Sequence, residues 1–318
     1  MESKNKPGPK GLVQAAVIKN QPIRTQFWKL LLKLDAEGSR FFLNALPGQF
    51  AEFDLTNTPL PPMDLIPENL REHAGRTILL RRPFSFSDIF INYSSEGTYV
   101  SLEVIYCVLG PATVRMTSLR PGDVISVLGP LGNGFWYPEN IKYALLVTGG
   151  MGAPPILHLA SFLKKHYPSI ESTAFVGARS IDMLPFEIKI GNKTGIMLEE
   201  FERLAIPAYV STDDGSAGRK GVVTESLKEW LQTQKPAPEQ TVIYACGPEP
   251  MLAACAELAQ KHRISCQVSM ERMMACGIGL CQSCAVRIQS DSPAPLYRLC
   301  CKEGPVFDSR TVLFGEGR

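Results

Sequence analysis

Four cysteines near the end of the chain carry the clearest chemistry. Cys276, Cys281 and Cys284 follow one another as C-x4-C-x2-C, and sixteen residues separate Cys284 from Cys301. Thiolates at this spacing suit a [2Fe–2S] cluster, which takes several soft sulfur ligands from one tight loop and a fourth from outside it. Gly277 and Gly279 lie between the first two cysteines, and glycine lets a backbone take left-handed angles close to inorganic sulfide. Backbone N–H groups in such a loop can donate to sulfur and tune a redox potential. Zinc is the competing reading, although zinc knuckles pair two short Cys-x2-Cys hooks and only one is present here. A disulfide framework would need an oxidising compartment, and the polar N-terminal residues lack the apolar core of a signal sequence.

The elements that must position these cysteines belong to a chain of 318 residues, enough for two or three domains. Its hydrophobic content of 45% is ordinary for a globular protein. With 33 Lys plus Arg against 31 Asp plus Glu, charge gives no sign of a nucleic-acid partner. Nine cysteines without a signal sequence favour metal or redox use, and a cytoplasmic location is expected. Residues 1–10 read as a disordered tail. The uncharged run 143–163 raises the question of a membrane span, but Gly149, Gly150, Gly152, Pro154 and Pro155 in its middle predict strand, tight turn and helix instead. No membrane association is expected.

Residues 11–142 read as all-β. Short segments at 12–18, 27–34, 49–55, 79–87, 99–108 and 124–128 are aliphatic, aromatic or β-branched and are punctuated by Gly, Pro and Asn. Six such strands predict a small antiparallel barrel. The proline-rich stretch 56–76 is longer than ordinary connections and reads as a surface insertion with a helical turn near 68–73. Within the barrel, Arg82-Pro83-Phe84-Ser85 offers a permanently charged fork for a phosphate, a fixed backbone and a small hydroxyl. Gly110-Pro111-Ala112-Thr113 opens a short helix whose free N–H groups suit a phosphate, or simply make a helix start.

From residue 143 to 263 strands alternate with helices, which predicts a parallel sheet. Gly149-Gly150-Met151-Gly152 after its first strand departs from the G-x-G-x-x-G fingerprint. Glycines there still let a pyrophosphate approach a helix N-terminus. Cys246-Gly247 ends a later strand, at the edge where ligands bind in such sheets. Arg179 at the end of the second strand can accommodate a 2′-phosphate, and Asp213-Asp214 is either a turn or a ligand contact. Residues 264–318 are left for the cysteine lobe.

Three signals in this order, Arg82-Pro83-Phe84-Ser85, Gly149 to Pro154 and Cys246 to Met251, resemble the ferredoxin–NADP reductase superfamily. The cysteine segment, with Glu271-Arg272-Met273-Met274 before it and Lys302 to Phe307 after it, is similar to the electron-transfer subunits of NAD-dependent dihydroorotate dehydrogenases. The resemblance spans about residues 11–307. It implies an antiparallel FAD-binding β-barrel, a central parallel-sheet NAD-binding domain and a small C-terminal [2Fe–2S] lobe. Arg82, Pro83, Phe84, Ser85, Ile105, Tyr106, Cys107, Ala112 and Thr113 would bind one FAD. Gly149, Gly150, Gly152, Cys246 and Gly247 would serve NAD, and Cys276, Cys281, Cys284 and Cys301 would hold one cluster. Cys301 is preferred to Cys300 because it begins the matching run and because an extended 297–301 would turn its neighbour away. The implied role is an electron-transfer subunit without its own catalytic side chains. It would carry electrons from a dihydroorotate-oxidising flavin subunit to NAD⁺ in pyrimidine synthesis, in a heterotetramer with two copies of each. Relatives carry a basic residue where Cys107 stands and Gly-Lys-Gly-Thr where residues 110–113 stand, so two positive charges are missing here. A reductase serving another flavoenzyme, and a non-enzymatic iron–sulfur sensor or zinc module, are the alternatives.

Overall fold

A computed structural model describes residues 8–95, 97–190, 196–290 and 296–315 of the chain. Most of the expected tail lies outside these residues. The first sheet holds seven strands: β1 (Gly11–Arg24), β2 (Phe27–Leu34), β3 (Phe50–Asp54), β4 (Arg82–Ser85), β5 (Asp88–Ser94), β6 (Gly97–Cys107) and β7 (Val124–Leu131). They pair antiparallel in the order β4-β3-β7-β1-β2-β6-β5. Only Phe86 and Ser87 separate β4 from β5, although these strands are the sheet's opposite edges. The sheet therefore curls until its edges approach, the geometry of a barrel. Val13, Ala15 and Val17 alternate inward along β1 and meet Leu30, Leu32 and Leu34 of β2 in the barrel core.

Two sequence expectations change here. The barrel has seven strands, because β5 escapes a reading that looks for dense apolar runs: Asp88, Asn92 and Ser94 break it up, and Ile89 and Ile91 alone pack on the core. The strand expected at 79–87 shrinks to four residues, since Leu79 and Leu80 are exposed before it. Helix α1 (Ala36–Phe42) follows β2 and is capped by Asp35, whose Oδ1 accepts from Gly38 N at 2.7 Å. The insertion carries α2 (Glu68–Ala74), and α3 (Pro111–Met116) follows β6. Arg115 Nη1 donates to Ala74 O at 2.8 Å and Ser118 Oγ to Pro59 O at 2.8 Å, so the insertion is packed against the α3 region.

The second sheet has the order β13-β12-β9-β8-β14-β15, with the late strand β18 (Val306–Asp308) at the edge beyond β15. Its parallel strands are β8 (Tyr143–Gly149), β9 (Glu171–Ala178), β12 (Ala208–Thr212), β13 (Arg219–Lys220), β14 (Thr241–Cys246) and β15 (Ser265–Ser269). A small hairpin, β10 (Ile188–Ile190) and β11 (Ile196–Leu198), stands apart. Helices α4 (Ala153–His166), α5 (Glu199–Arg203), α6 (Val223–Gln234) and α7 (Glu249–His262) complete the crossovers. Continuous apolar strands such as Ala144 to Val147 are buried, as expected when helices cover a parallel sheet. The run 143–163 is strand β8, a glycine turn and α4, and no helix among the described residues is long and apolar enough to cross a membrane.

The last segment forms the hairpin β16 (Ala285–Ile288) and β17 (Leu296–Leu299), then β18 (Val306–Asp308), which pairs antiparallel with β15. The hydrogen-bonded sheet thus runs across the boundary that the sequence suggests at 263/264. Polar side chains tie barrel to sheet: Lys29 Nζ reaches Glu187 Oε1 at 3.2 Å and Glu200 Oε1 at 3.4 Å, and Ser161 Oγ donates to Asp88 Oδ2 at 2.9 Å. The loop after β7 is stitched to the last segment by Asn133 N donating to Gly304 O at 2.6 Å. These contacts tie the barrel to α4, to α5 and to the last segment.

Candidate functional site

The chain leaves β15, runs without regular structure through 270–274, and enters the cysteine loop before β16. Gly277, Gly279 and Gln282 have φ of +65°, +88° and +60°, which coils the loop tightly enough to aim N–H groups inward. Leu280 N and Cys281 N donate to Cys276 Sγ at 3.3 and 3.4 Å, and Cys301 N donates to Cys284 Sγ at 3.5 Å. The four thiols fall into two pairs. Cys281 is hydrogen-bonded by Ser283 and by Cys276, and these bonds pull its exposed thiol down to about 6. Burial first, and then contact with Cys284, push Cys301 up to about 12.

The described residues contain no group of three or more His, Cys, Asp or Glu side chains gathered tightly enough to hold a single metal ion. A [2Fe–2S] cluster instead takes two thiolates on each of two irons. The pairing Cys276 with Cys281 and Cys284 with Cys301 fits that donor set. One part of the sequence argument fails: Cys300 and Cys301 are not extended. Strand β17 ends at Leu299, where N–H groups of Lys302, Glu303 and Gly304 all turn back onto Leu299 O. Side-chain alternation therefore does not apply. The turn itself separates the neighbours, sending Cys300 Sγ to Met270 O at 3.1 Å while Cys301 faces Cys284.

A cleft of about 300 Å³ opens beside this loop. Pro83, Phe84, Ser85, Ile105, Tyr106, Cys107 and Thr113 line its barrel side, and Cys246 lines it from the parallel sheet. Strand β4 is an edge, which is why Pro83 is tolerated within it. Phe84 packs against Phe53 at 5.0 Å between ring centroids, and Tyr106 Oη donates to Asn20 Oδ1 at 3.1 Å. Burial raises the Cys107 thiol to about 11, so it presents a neutral surface. Arg82, Ala112, Gly149, Gly150, Gly152 and Gly247 are not in the cleft wall. Arg82 Nη1 donates to Leu80 O at 2.7 Å and lies folded back along its own strand. Ala112 packs into the barrel core. The Thr113 hydroxyl accepts from Leu109 N at 2.9 Å and Gly110 N at 3.2 Å, closing the start of α3.

The nucleotide-side residues lie where β8 and β14 end together, with Cys246 opposite Thr148. A Cβ on Gly152 would sit 2.0 Å from Cys246 O, so only glycine lets the two turns pack backbone to backbone. Gly150 faces open space at φ +52°. Cys246 is buried and its thiol stays neutral, because burial pushes its titration far up. The acidic pair reads as a turn: Ser216 N and Oγ donate to Asp214 Oδ1 at 2.9 and 2.6 Å, and these bonds lower the Asp214 carboxyl. Asp214 N also donates to Arg179 O at 3.1 Å, holding this turn beside the end of β9.

Sequence reasoning missed the opposite wall of the cleft. Met270, Glu271, Arg272 and Met274 line it, with Met151, Pro154 and Pro155 from the start of α4. Arg272 is fixed by Glu249 Oε2 at 3.1 Å, at the first turn of α7. No periodicity marks residues 270–274; their place beside the cysteines and the family resemblance of residues 271–274 are signals that do not point to a cleft wall. Glu52 was also missed. It is a fully buried residue of β3, and desolvation raises its carboxyl to about 7 against the opposing pull of Arg82 and Arg81.

Comparison with known proteins places these features in context. The profile of the iron-sulfur cluster binding domain of dihydroorotate dehydrogenase B matches residues 271–313. The dihydroorotate dehydrogenase B (NAD(+)) electron transfer subunit of Caldanaerobacter subterraneus subsp. tengcongensis is 36% identical over 303 residues, covering 95% of this chain and 98% of that protein. The subunit of the same name from Geobacillus sp. (strain WCH70) is 33% identical over 302 residues, covering 94% and 98%. Among solved structures, a chain of an NADH-dependent reduced ferredoxin–NADP oxidoreductase studied for flavin-based electron bifurcation superposes with a TM-score of 0.69 at 26% identity, covering 94% of this chain and 90% of that one.

Proposed function

The chain belongs to the electron-transfer subunits of NAD(+)-dependent dihydroorotate dehydrogenase B, and from that membership we propose a relay from a dihydroorotate-oxidising catalytic subunit, through a [2Fe–2S] cluster and FAD, to NAD⁺. The observation that carries this reading is the continuity of residues 270–276. Met270, Glu271, Arg272 and Met274 wall the cleft that also takes Pro83, Phe84 and Ser85, and two positions later the same segment supplies Cys276. A flavin in the cleft and a cluster in the loop are therefore neighbours by chain connectivity. When bound, these groups supply hydride exchange with the nicotinamide and single-electron transfer.

The residues of the chain hold and shield. Cys276, Cys281, Cys284 and Cys301 are the proposed cluster ligands, and the N–H groups of Leu280, Cys281 and Cys301 offset thiolate charge. Pro83, Phe84, Ser85, Ile105, Tyr106 and Cys107 give the flavin a largely apolar wall. Arg82, with Ala112 and Thr113 at the start of α3, would hold its pyrophosphate, the guanidinium that now donates to Leu80 O supplying the charge-assisted donors. Gly149, Gly150, Gly152, Cys246 and Gly247 form the nicotinamide-nucleotide edge, and the NAD assignment rests on the family. Division into a barrel at 11–142, a nucleotide domain and a cluster lobe accompanies this proposal, with β15 counted in the nucleotide sheet.

Membership in an electron-transfer family implies a catalytic partner subunit. Met273 and Leu280, 89% and 77% exposed, flank the exposed Cys281 and support docking of that partner on the cluster lobe, in a complex with two copies of each subunit. The test is direct. The purified chain should show flavin absorption and contain iron and acid-labile sulfide, and dihydroorotate should reduce NAD⁺ only after the catalytic subunit is added. Absence of flavin bands, or turnover by the chain alone, would overturn the proposal.

A further inference from the structure

Glu52 occupies a position that stability does not explain. It lies on β3, paired with Pro83 of β4 on one side and Leu128 of β7 on the other. The residue is fully buried, and neither Oε1 nor Oε2 has a hydrogen-bond partner among the described residues. A buried, unpaired carboxyl is costly, and an apolar side chain would pack there at lower cost. The side chain ends against the cysteine loop. A Cβ built on Gly277 would lie 2.4 Å from Glu52 Oε1, 2.6 Å from Cγ and 2.9 Å from Cδ. Arg82, Arg81 and Cys281 are the charged or titratable groups around it.

Both walls of this contact are backbone. On one side a strand is laddered to two neighbours; on the other is a loop residue at φ +65° directly following Cys276. Neither wall shifts without moving a proposed cofactor-holding residue, Pro83 or Cys276. We propose that Glu52, seated in the space left by the missing Cβ of Gly277, is a positioning residue that sets the gap between the flavin-side strand and the cluster loop. This inference rests on the relay reading given above. The length of the Glu52 side chain then fixes the distance and orientation across which electrons pass between the two bound groups.

The experiment uses the cofactor-loaded chain and four variants: Glu52→Gln, Glu52→Ala, Gly277→Ala and the double variant Glu52→Ala/Gly277→Ala. The readouts are iron per chain, the EPR line shape of the reduced cluster, and the rate at which NADH-reduced flavin passes electrons to the cluster. Glu52→Gln keeps length and planar head, and should keep line shape and rate. Glu52→Ala should keep flavin and iron but alter the line shape and slow the transfer. Gly277→Ala should lose iron, and the double variant should regain the part lost to the clash, by roughly two- to a hundredfold over Gly277→Ala, the range expected for residues in contact, while the strain of alanine at φ +65° remains in both. Additive effects of the two alanines, or a Glu52→Gln variant that behaves as Glu52→Ala, would overturn the proposal. Should Gly277→Ala fail to fold, the Gln and Ala variants at Glu52 decide alone. A wild-type chain with no flavin or iron would defeat the relay reading instead. In that case the melting temperatures of the same four variants still report whether Glu52 and Gly277 couple.

Discussion

Asp88 is a carboxyl placed where its charge costs stability. It sits at the joint of β5 and α4, accepting from Ser161 Oγ at 2.9 Å and from its neighbour Ile89 N at 2.8 Å. Desolvation raises it from 3.8 to about 6, outweighing those two bonds; Glu103 adds repulsion and Lys165 opposes it. A raised acid favours the folded state most when protonated. Its contribution is fully present below pH 3.8 and is lost as pH rises through about 6. The shift corresponds to at most about 3 kcal/mol above pH 7, and partial solvent access reduces this to about 1–2 kcal/mol. In Asp88→Asn the amide oxygen can accept from Ile89 N while the amide nitrogen donates to Ser161 Oγ, which as a hydroxyl can also accept, and the charge is removed. It should therefore stabilise the protein by about 1–2 kcal/mol at pH 7 and by about half as much at pH 5. Urea unfolding of both proteins between pH 5 and 8 measures the difference, in which carboxyls common to both, such as Glu52 and Glu200, cancel. A variant less stable at pH 7, or a gain that does not change with pH, would show that the folded state does not penalise the Asp88 charge.

Three further outcomes are expected. Cys301→Ser should lose or alter the cluster while Cys300→Ser keeps it, measured by iron content and EPR; the reverse result would exchange their roles. Arg82→Ala should lower flavin occupancy at least tenfold on dilution, since charge-assisted phosphate contacts are worth roughly 1.5–3 kcal/mol and no basic residue stands at Cys107 or Pro111 to replace it. With an artificial acceptor, NADH should outperform NADPH; a clear preference for NADPH would assign Arg179 to a 2′-phosphate.

The sequence by itself determined whatever is local. The spacing of Cys276, Cys281 and Cys284, with Gly277 and Gly279 between the first two, specifies a loop whose positive-φ residues follow from glycine chemistry. Buried runs such as Ala144 to Val147, followed by glycines and then Pro154 and Pro155, specify strand, turn and helix. Tertiary structure decided what depends on partners distant in the chain. Strand β5 exists because β6 pairs with it across Ser94 and Gly97, not because its own residues are strongly apolar. Cys300 and Cys301 point apart because three N–H groups converge on Leu299 O and fold a turn, a bonding choice that an alternating pattern cannot reveal. Residues 270–274 become a cleft wall only when β15 joins the parallel sheet and Arg272 finds Glu249. Glu52 reads as an ordinary exposed acid in its sequence; it is buried because the cysteine loop, more than two hundred residues away, closes over it at Gly277, which has no side chain to block it.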